Sequence, residues 1–272
     1  MGQPFIQNKQ YEIDFLKLAT ANDFEPIETA FIETLVWDEL SPDDLKQMKE
    51  RSVWQADDTL FALRNDFTDQ LVRYYQHYQH YQLNHSAVAY TGPIVRHHQV
   101  QTQLGLECYR PHIQEMYHAF ETFQQFISQH LQDEIQYVVI GHYQLIDLLL
   151  EHQAEREQLL TWVEQRNISA LKSELGMSHP LVRLLLTPTH QQLELLNTLY
   201  PHDHVIIRSL NRWQTYFKSL HIDTIHLDIT PQAPRSYYKE TFIHAHLQNS
   251  GRTLSGGYYN GPLEGFGLGL TL

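Results

Sequence analysis

The last eighteen residues, SGGYYNGPLEGFGLGLTL, constrain the fold of this chain more than any other stretch. Gly265, Gly267 and Gly269 alternate with Phe266, Leu268 and Leu270, the period of an extended strand with one apolar row. Gly256 and Gly257 are read as a tight turn and Asn260-Gly261 as a second turn signal, so the segment is expected to be a glycine-rich hairpin running into a buried strand. Backbone of this kind lets a ligand come close, because no Cβ stands in the way.

A chain of 272 residues can bury a sizeable core, which suits one large α+β domain with an insertion or two modest domains. No apolar run approaches the roughly 18 to 20 residues of a membrane span, and the opening MGQPFIQNKQ lacks the apolar centre of a signal peptide. A soluble, cytoplasmic protein is expected. The single cysteine, Cys108, excludes an internal disulfide framework and any multi-cysteine metal site, and reads as a small buried hydrophobe. Formal charge is -13 with histidine neutral, and no run of five or six basic residues occurs, which disfavours a nucleic-acid partner.

Tyr11 to Leu40 reads mainly as helix leading toward extended structure, interrupted at Pro26. Residues 58 to 63 read as a strand, followed by a helix from Phe67 to Tyr78 capped by Asp66 or Thr68. Ala87 to Ile94 and Gln103 to Glu107 read as paired strands joined by a polar connection from Val95 to Thr102. From Pro111 to Phe126 the spacing of Ile113, Met116, Tyr117, Phe120 and Phe123 fits an amphipathic helix, and Ile135 to Ile140 a strand. Between Leu145 and Leu220 helical segments punctuated by Gly176, Pro180, Pro188 and Pro201 suggest a helical insertion. Strands resume at residues 224 to 229 and 241 to 247. The expected organisation is a core from 1–144 and 221–272 with an insertion at 145–220.

Asp66, Arg96, Gln103, Glu107 and Tyr238 each fall at or beside a strand that could belong to one antiparallel sheet. Acid, amide and phenol groups suit an amino-acid ligand: carboxylates meet its ammonium, and arginine matches its carboxylate. In this order, LRNDFTDQLVR, YTGPIVRHH, QTQLGLE and GGYYNGPLEGFGLGL resemble the catalytic domain of histidyl-tRNA synthetases across most of the chain. YTGPIVRHH looks like motif 2 of the class II synthetases, GFGLGL like motif 3, and IETAFIE at 27 to 33 like a weakened motif 1 with Ala30 in place of its usual proline. The resemblance implies a class II synthetase-like α+β fold, an antiparallel sheet flanked by helices.

The departures from that family concern its chemistry. Arg96 is followed by His97 and His98 where motif 2 carries a nearby glutamate, and Thr271 and Leu272 stand where motif 3 carries an arginine for ATP phosphates. APRSYY at 233 to 238 is similar to the synthetase segment RGLDYY, leaving Ala233 for the arginine and Ser236 for the aspartate, with Arg235 nearby. With motif 3 at the end of the sequence, an anticodon-binding domain is expected to be absent. Losing a positioned charge opposite developing phosphate charge costs several kcal/mol, on the order of a thousandfold in rate.

A synthetase-like domain without this chemistry is similar to the regulatory subunits of ATP phosphoribosyltransferase. That resemblance implies no catalytic residue and no cofactor. It implies a short-form catalytic subunit as partner, a homodimer within a hetero-oligomer, no tRNA and no membrane. It also implies inhibition by histidine of the first step of histidine biosynthesis. Asp66, Gln103 and Glu107 would receive the ligand's ammonium or imidazole, Tyr238, Gly256 and Gly257 would line the pocket, and Arg96 would meet an anion. Two alternatives are an enzyme that activates histidine without reading tRNA, and a metal-binding protein built on His77, His80, His85, His97, His98, His202, His204, His244 and His246.

Overall fold

A computed structural model describes residues 2–37, 40, 42–48, 51–77, 85–230, 233 and 235–272. Helix α1 (Gly2–Ala21) buries Glu12, Phe15 and Ala19, one stripe at helical spacing. It stops where Asp23 turns left-handed (φ 64°) and the Phe24 N–H returns to the Ala19 carbonyl. The short β1 (Glu25–Pro26) and β2 (Ile32–Leu35) follow, then α2 (Pro42–Gln47), β3 (Val53–Ala56), β4 (Thr59–Leu63) and α3 (Phe67–His77). The expected end of α3 at Tyr78 lies outside the described residues. β5 (Ala87–Arg96) and β6 (Gln99–Tyr109) form a long hairpin, and α4 (Ile113–Phe126) is capped by Glu115, whose carboxylate accepts the His112 N–H at 2.6 Å. Phe123 and Phe126 of α4 pack on Phe15 of α1 at 5.0 and 5.3 Å between ring centroids.

After β7 (Ile135–His142) come six helices, α5 (Leu145–Leu149), α6 (Arg156–Glu164), α7 (Ile168–Leu175), α8 (Pro180–Leu186), α9 (Thr189–Leu199) and α10 (Val205–Ser219). The chain closes with β8 (Ile225–Asp228), β9 (Tyr238–Leu247), β10 (Thr253–Asn260) and β11 (Glu264–Thr271).

The chain divides into two units. The first holds residues 1–134, 235–237 and 247–272, the second 135–234 and 238–246. In the first, strands run β1-β5-β6-β11-β10, antiparallel except for the parallel pair β1 and β5, and β2-β4-β3 form a smaller antiparallel sheet. In the second, β7 lies between β9 and its parallel partner β8, and the helices expected over 145 to 220 are present. There α10 buries Ile206, Ile207, Leu210, Trp213 and Phe217, a 3.6-residue stripe.

Two expected loops are corrected. The polar connection from Val95 to Thr102 is almost all strand: Arg96 pairs with Gln99, and only His97 (φ 48°) and His98 (φ 61°) turn. Two consecutive left-handed residues make the tight turn whose twist matches a hairpin, so the ladder runs to its tip. Gly256 and Gly257 are not a turn either. They pair with Leu268 and Gly267 in the middle of β10, and the chain reverses after Asn260, at Gly261.

Candidate functional site

The register of the first unit's sheet decides which side chains meet. Gly105 of β6 lies opposite Tyr90 of β5 and Gly269 of β11, while Glu107 lies opposite Val88 and Gly267. Gln103 pairs with Gly92 and Thr271, and Gly257 with Gly267. Directly opposed residues share a face, so Tyr90, Gln103, Gly105, Glu107, Gly257, Gly267 and Gly269 form one floor. Arg96, six residues beyond Tyr90 on β5, is on the same face. The missing Cβ atoms at Gly105, Gly267 and Gly269 make room for the side chains of Tyr90, Glu107 and Gln103 that lie over them.

Glu107 is its centre. The side chain is fully buried and accepts three hydroxyls: Thr68 Oγ1 and Tyr90 OH, the latter at 3.1 Å, on Oε1, and Tyr259 OH at 2.9 Å on Oε2. Burial pushes the Glu107 carboxyl up to about 7, with the nearby Asp66 charge adding to it and the three hydroxyls opposing it. Gly267 makes the position possible, because a Cβ there would come within 2.5 Å of the carboxylate.

The rim carries the opposite charges. Asp66 precedes α3, and its Oδ1 accepts the Asp69 N–H at 3.1 Å as a helix cap. Its Oδ2 takes the Arg96 Nη2 at 2.5 Å, and Arg96 Nε donates to the Asn65 carbonyl at 2.8 Å. Both groups remain partly exposed. Gln103 is 8% exposed, and its Oε1 has no hydrogen-bond partner among the described residues.

Beneath α3 lies a second polar cluster. Asp69 accepts Arg73 Nη1 at 2.5 Å, Arg235 Nη2, and Tyr237 OH at 3.1 Å. Arg73 also holds Glu33 at 2.5 Å and Asp44 at 3.3 Å, and Arg51 holds Glu33 at 2.7 Å. Burial alone would raise the Asp69 carboxyl, but Arg73 and Arg235 more than offset it and hold it below its ordinary value. A cavity of about 450 Å³ opens beside this cluster, lined by Ile32, Glu33, Val36, Asp44, Arg73 and Tyr74 among others.

Of the residues singled out in the sequence, Asp66, Arg96, Gln103, Glu107 and Gly257 come together in the first unit. Gly256 points to the other face of β10, one residue out of step with Gly257. Tyr238 opens β9 in the second unit, with its ring 6.0 Å from Tyr143. Thr68, Tyr90 and Tyr259 were missed. Tyr90 and Thr68 lie inside YTGPIVRHH and LRNDFT, but only their hydrogen bonds in the folded chain show that both reach Glu107. Arg235 pairs with Asp69 inside the unit rather than facing the floor alone.

Among the described residues no group of three or more His, Cys, Asp or Glu side chains is arranged to hold a metal. His97 and His98 sit exposed at a hairpin tip, His244 and His246 are held below their ordinary values by burial, and His80 lies outside the described residues. No helix of the described residues is long and apolar enough to cross a membrane.

Residues 5–270 match the family model described as histidyl-tRNA synthetase. A Staphylococcus aureus (strain MRSA252) protein named ATP phosphoribosyltransferase regulatory subunit is 43% identical over 272 residues, covering 100% of this chain and 99% of its own. A Staphylococcus epidermidis protein of the same name is 43% identical over 273 residues, covering 100% of both chains. A Bacillus halodurans structure described as an ATP phosphoribosyltransferase regulatory subunit/histidyl-tRNA synthetase superposes with TM-score 0.79 at 16% identity, over 100% of this chain and 78% of that one. A chain of the Thermotoga maritima ATP phosphoribosyl transferase (HisG:HisZ) complex does so with TM-score 0.72 at 19% identity, over 96% of each. At those identities the structures attest the fold, a class II synthetase-like α+β core, while the sequence relatives settle the family. The chain belongs to the ATP phosphoribosyltransferase regulatory subunits, a family built on the histidyl-tRNA synthetase domain.

Proposed function

We propose that this protein acts as the non-catalytic regulatory subunit of ATP phosphoribosyltransferase in the cytoplasm. It would support the first step of histidine biosynthesis, the condensation of ATP with phosphoribosyl pyrophosphate, on a separate short-form catalytic subunit, and help histidine inhibit that step. The observation that carries the histidine-binding part is the convergence of Asp66, Arg96, Gln103 and Glu107 around a floor of glycines. Asp66 and Arg96 are a bonded pair of opposite charges at the rim, so a zwitterion can exchange partners with both, its ammonium taking Asp66 and its carboxylate Arg96. Gln103 Oε1, a buried acceptor without a partner among the described residues, can take a ligand N–H, and Glu107 would meet the ring.

The same geometry argues against catalysis by this chain. The turn after Arg96 carries two histidines and no carboxylate, where motif 2 of the synthetases has a glutamate. Histidine then acts by binding one state of the assembly better than the other, and a coupling of about 1 to 3 kcal/mol is enough for useful feedback. A homodimer through the motif 1-like segment is part of this reading. The outer face of the small sheet, which that segment enters at Ile32, presents Ile32 and Trp54, 51% and 40% exposed, as apolar surface for a second copy.

The test is ATP phosphoribosyltransferase activity of a purified short-form catalytic subunit, with and without this chain, across a histidine titration. Activation by this chain that histidine reverses is expected, and Glu107→Ala is expected to shift the inhibition curve at least tenfold toward higher histidine. No complex and no effect on activity would overturn the assignment, and unchanged inhibition by the Glu107→Ala subunit would remove Glu107 from the site.

A further inference from the structure

The ring of Tyr90 lies across Gly105, directly opposite it on β6, and a Cβ added at position 105 would come within 2.1 Å of the ring's hydroxyl-bearing edge. The ring also stacks on Phe67, 4.2 Å between centroids and 15° between planes. Its hydroxyl donates to Glu107 Oε1 at 3.1 Å, and the residue is 1% exposed. A planar ring carrying a hydrogen-bond donor on its edge therefore already fills the space between Phe67, Gly105 and Glu107. The rest of the floor is filled in the same way, with Tyr259 over Gly265, Glu107 over Gly267 and Gln103 over Gly269. Yet the layer leaves one group unmet, since Gln103 Oε1 is buried without a donor among the described residues. A buried acceptor without a partner is unfavourable, and a ligand N–H could satisfy it.

We propose that Tyr90 is an intramolecular plug: its phenol occupies the ring subsite of the amino-acid pocket until a planar ligand ring bearing an N–H displaces it, stacks on Phe67 and donates to Glu107 in its place. The inference rests on the reading of this face as the histidine site. It adds that the closed floor is one of two states, and that affinity is set in part by the cost of opening it, because the apparent Kd is the intrinsic Kd divided by the open fraction. It also adds a selectivity rule. Only a ligand whose ring returns the hydrogen bond lost from Tyr90 leaves Glu107 as well satisfied as before, so aliphatic amino acids are rejected by the plug as well as by shape.

Tyr90→Phe tests this while keeping the ring, its stack on Phe67 and the surrounding core. It removes only the bond that holds the plug to Glu107. In calorimetric titrations of the full chain with histidine, Tyr90→Phe is expected to bind about fivefold more tightly than the native protein. With the tyrosine rings carbon-13 labelled, histidine is expected to shift a resonance of the native protein that is missing from the variant's spectrum. Tighter binding together with that shift, or binding by the variant alone, supports the plug. If the native protein binds histidine, but Tyr90→Phe binds no more tightly and the Tyr90 resonance stays in place, Tyr90 is ordinary core and the plug falls while the site stands. If neither protein binds histidine, the reading of this face as a histidine site falls, and the plug with it.

Discussion

Thr68 and Asp69 are neighbours in the first turn of α3, yet they serve opposite kinds of polar burial. Thr68 donates to Glu107, a lone carboxyl surrounded by neutral hydroxyls, and burial lifts that carboxyl to about 7. Asp69 accepts from Arg73 and Arg235, and their charge holds its carboxyl below the ordinary value in spite of the cost of burial. Hydroxyls stabilise a carboxylate only through dipoles, whereas guanidiniums supply full opposite charge. One helical turn thus joins a centre that can change protonation near neutral pH to one that stays ionised. The first is suited to ligand exchange, and the second holds α3, the small sheet and the 235–237 segment in place.

The contrast can be broken most directly at Asp69. Asp69→Ala leaves Arg73 and Arg235 buried without their shared carboxylate, and a loss of about 3 to 5 kcal/mol in urea unfolding is expected. A loss below about 1 kcal/mol would show that the charge cluster does not hold the fold together.

Glu107→Gln sharpens the other side. The folded carboxyl lies near 7 against an ordinary 4.5, so it contributes stability that is complete below about 4.5 and is lost as pH rises through 7. The native protein is therefore expected to lose about 3 kcal/mol relative to Glu107→Gln between pH 4.5 and pH 8. Unfolding of both proteins at the two pH values measures it, and a stability difference that does not change with pH would mean that the hydroxyls keep Glu107 ionised. The smallest effect is expected far from both centres, at the hairpin tip. Replacing His97-His98 by Asn-Gly relieves two left-handed side-chain residues, and a gain of about 1 kcal/mol is expected with no change in histidine response.

Local pattern carried much of the fold. The helix expected over 111 to 126 is α4, because its apolar spacing has the helical period and Glu115 caps it. The strand expected over 58 to 63 is β4, one residue shorter. The errors occurred where a residue's meaning depends on a partner strand. Gly256 and Gly257 look like turn residues by composition, but within a paired strand they make room beside β11. The stretch from Val95 to Thr102 looks like a loop by polarity, but it runs through the tip of a hairpin whose residues 97–100 are exposed, where polar residues are tolerated in strand.

The site divides in the same way. The motifs pointed to Asp66, Arg96, Gln103 and Glu107, because the ligand chemistry is carried by residue types and those remain visible in a string of letters. Thr68 is 39 residues from Glu107, Tyr259 is 152 away, and Arg235 is 166 from Asp69. Nothing local announces such pairs. The sequence by itself determined the alternation of glycine with apolar residues, the helical stripes, the family's motifs in order and the loss of its catalytic charges, since these depend on covalent neighbours and residue chemistry. Only the tertiary structure decided that Tyr90 lies over Gly105, that three hydroxyls surround Glu107 and that Asp69 is locked by two arginines, because solvation by the protein is set by which strands pair and in what register.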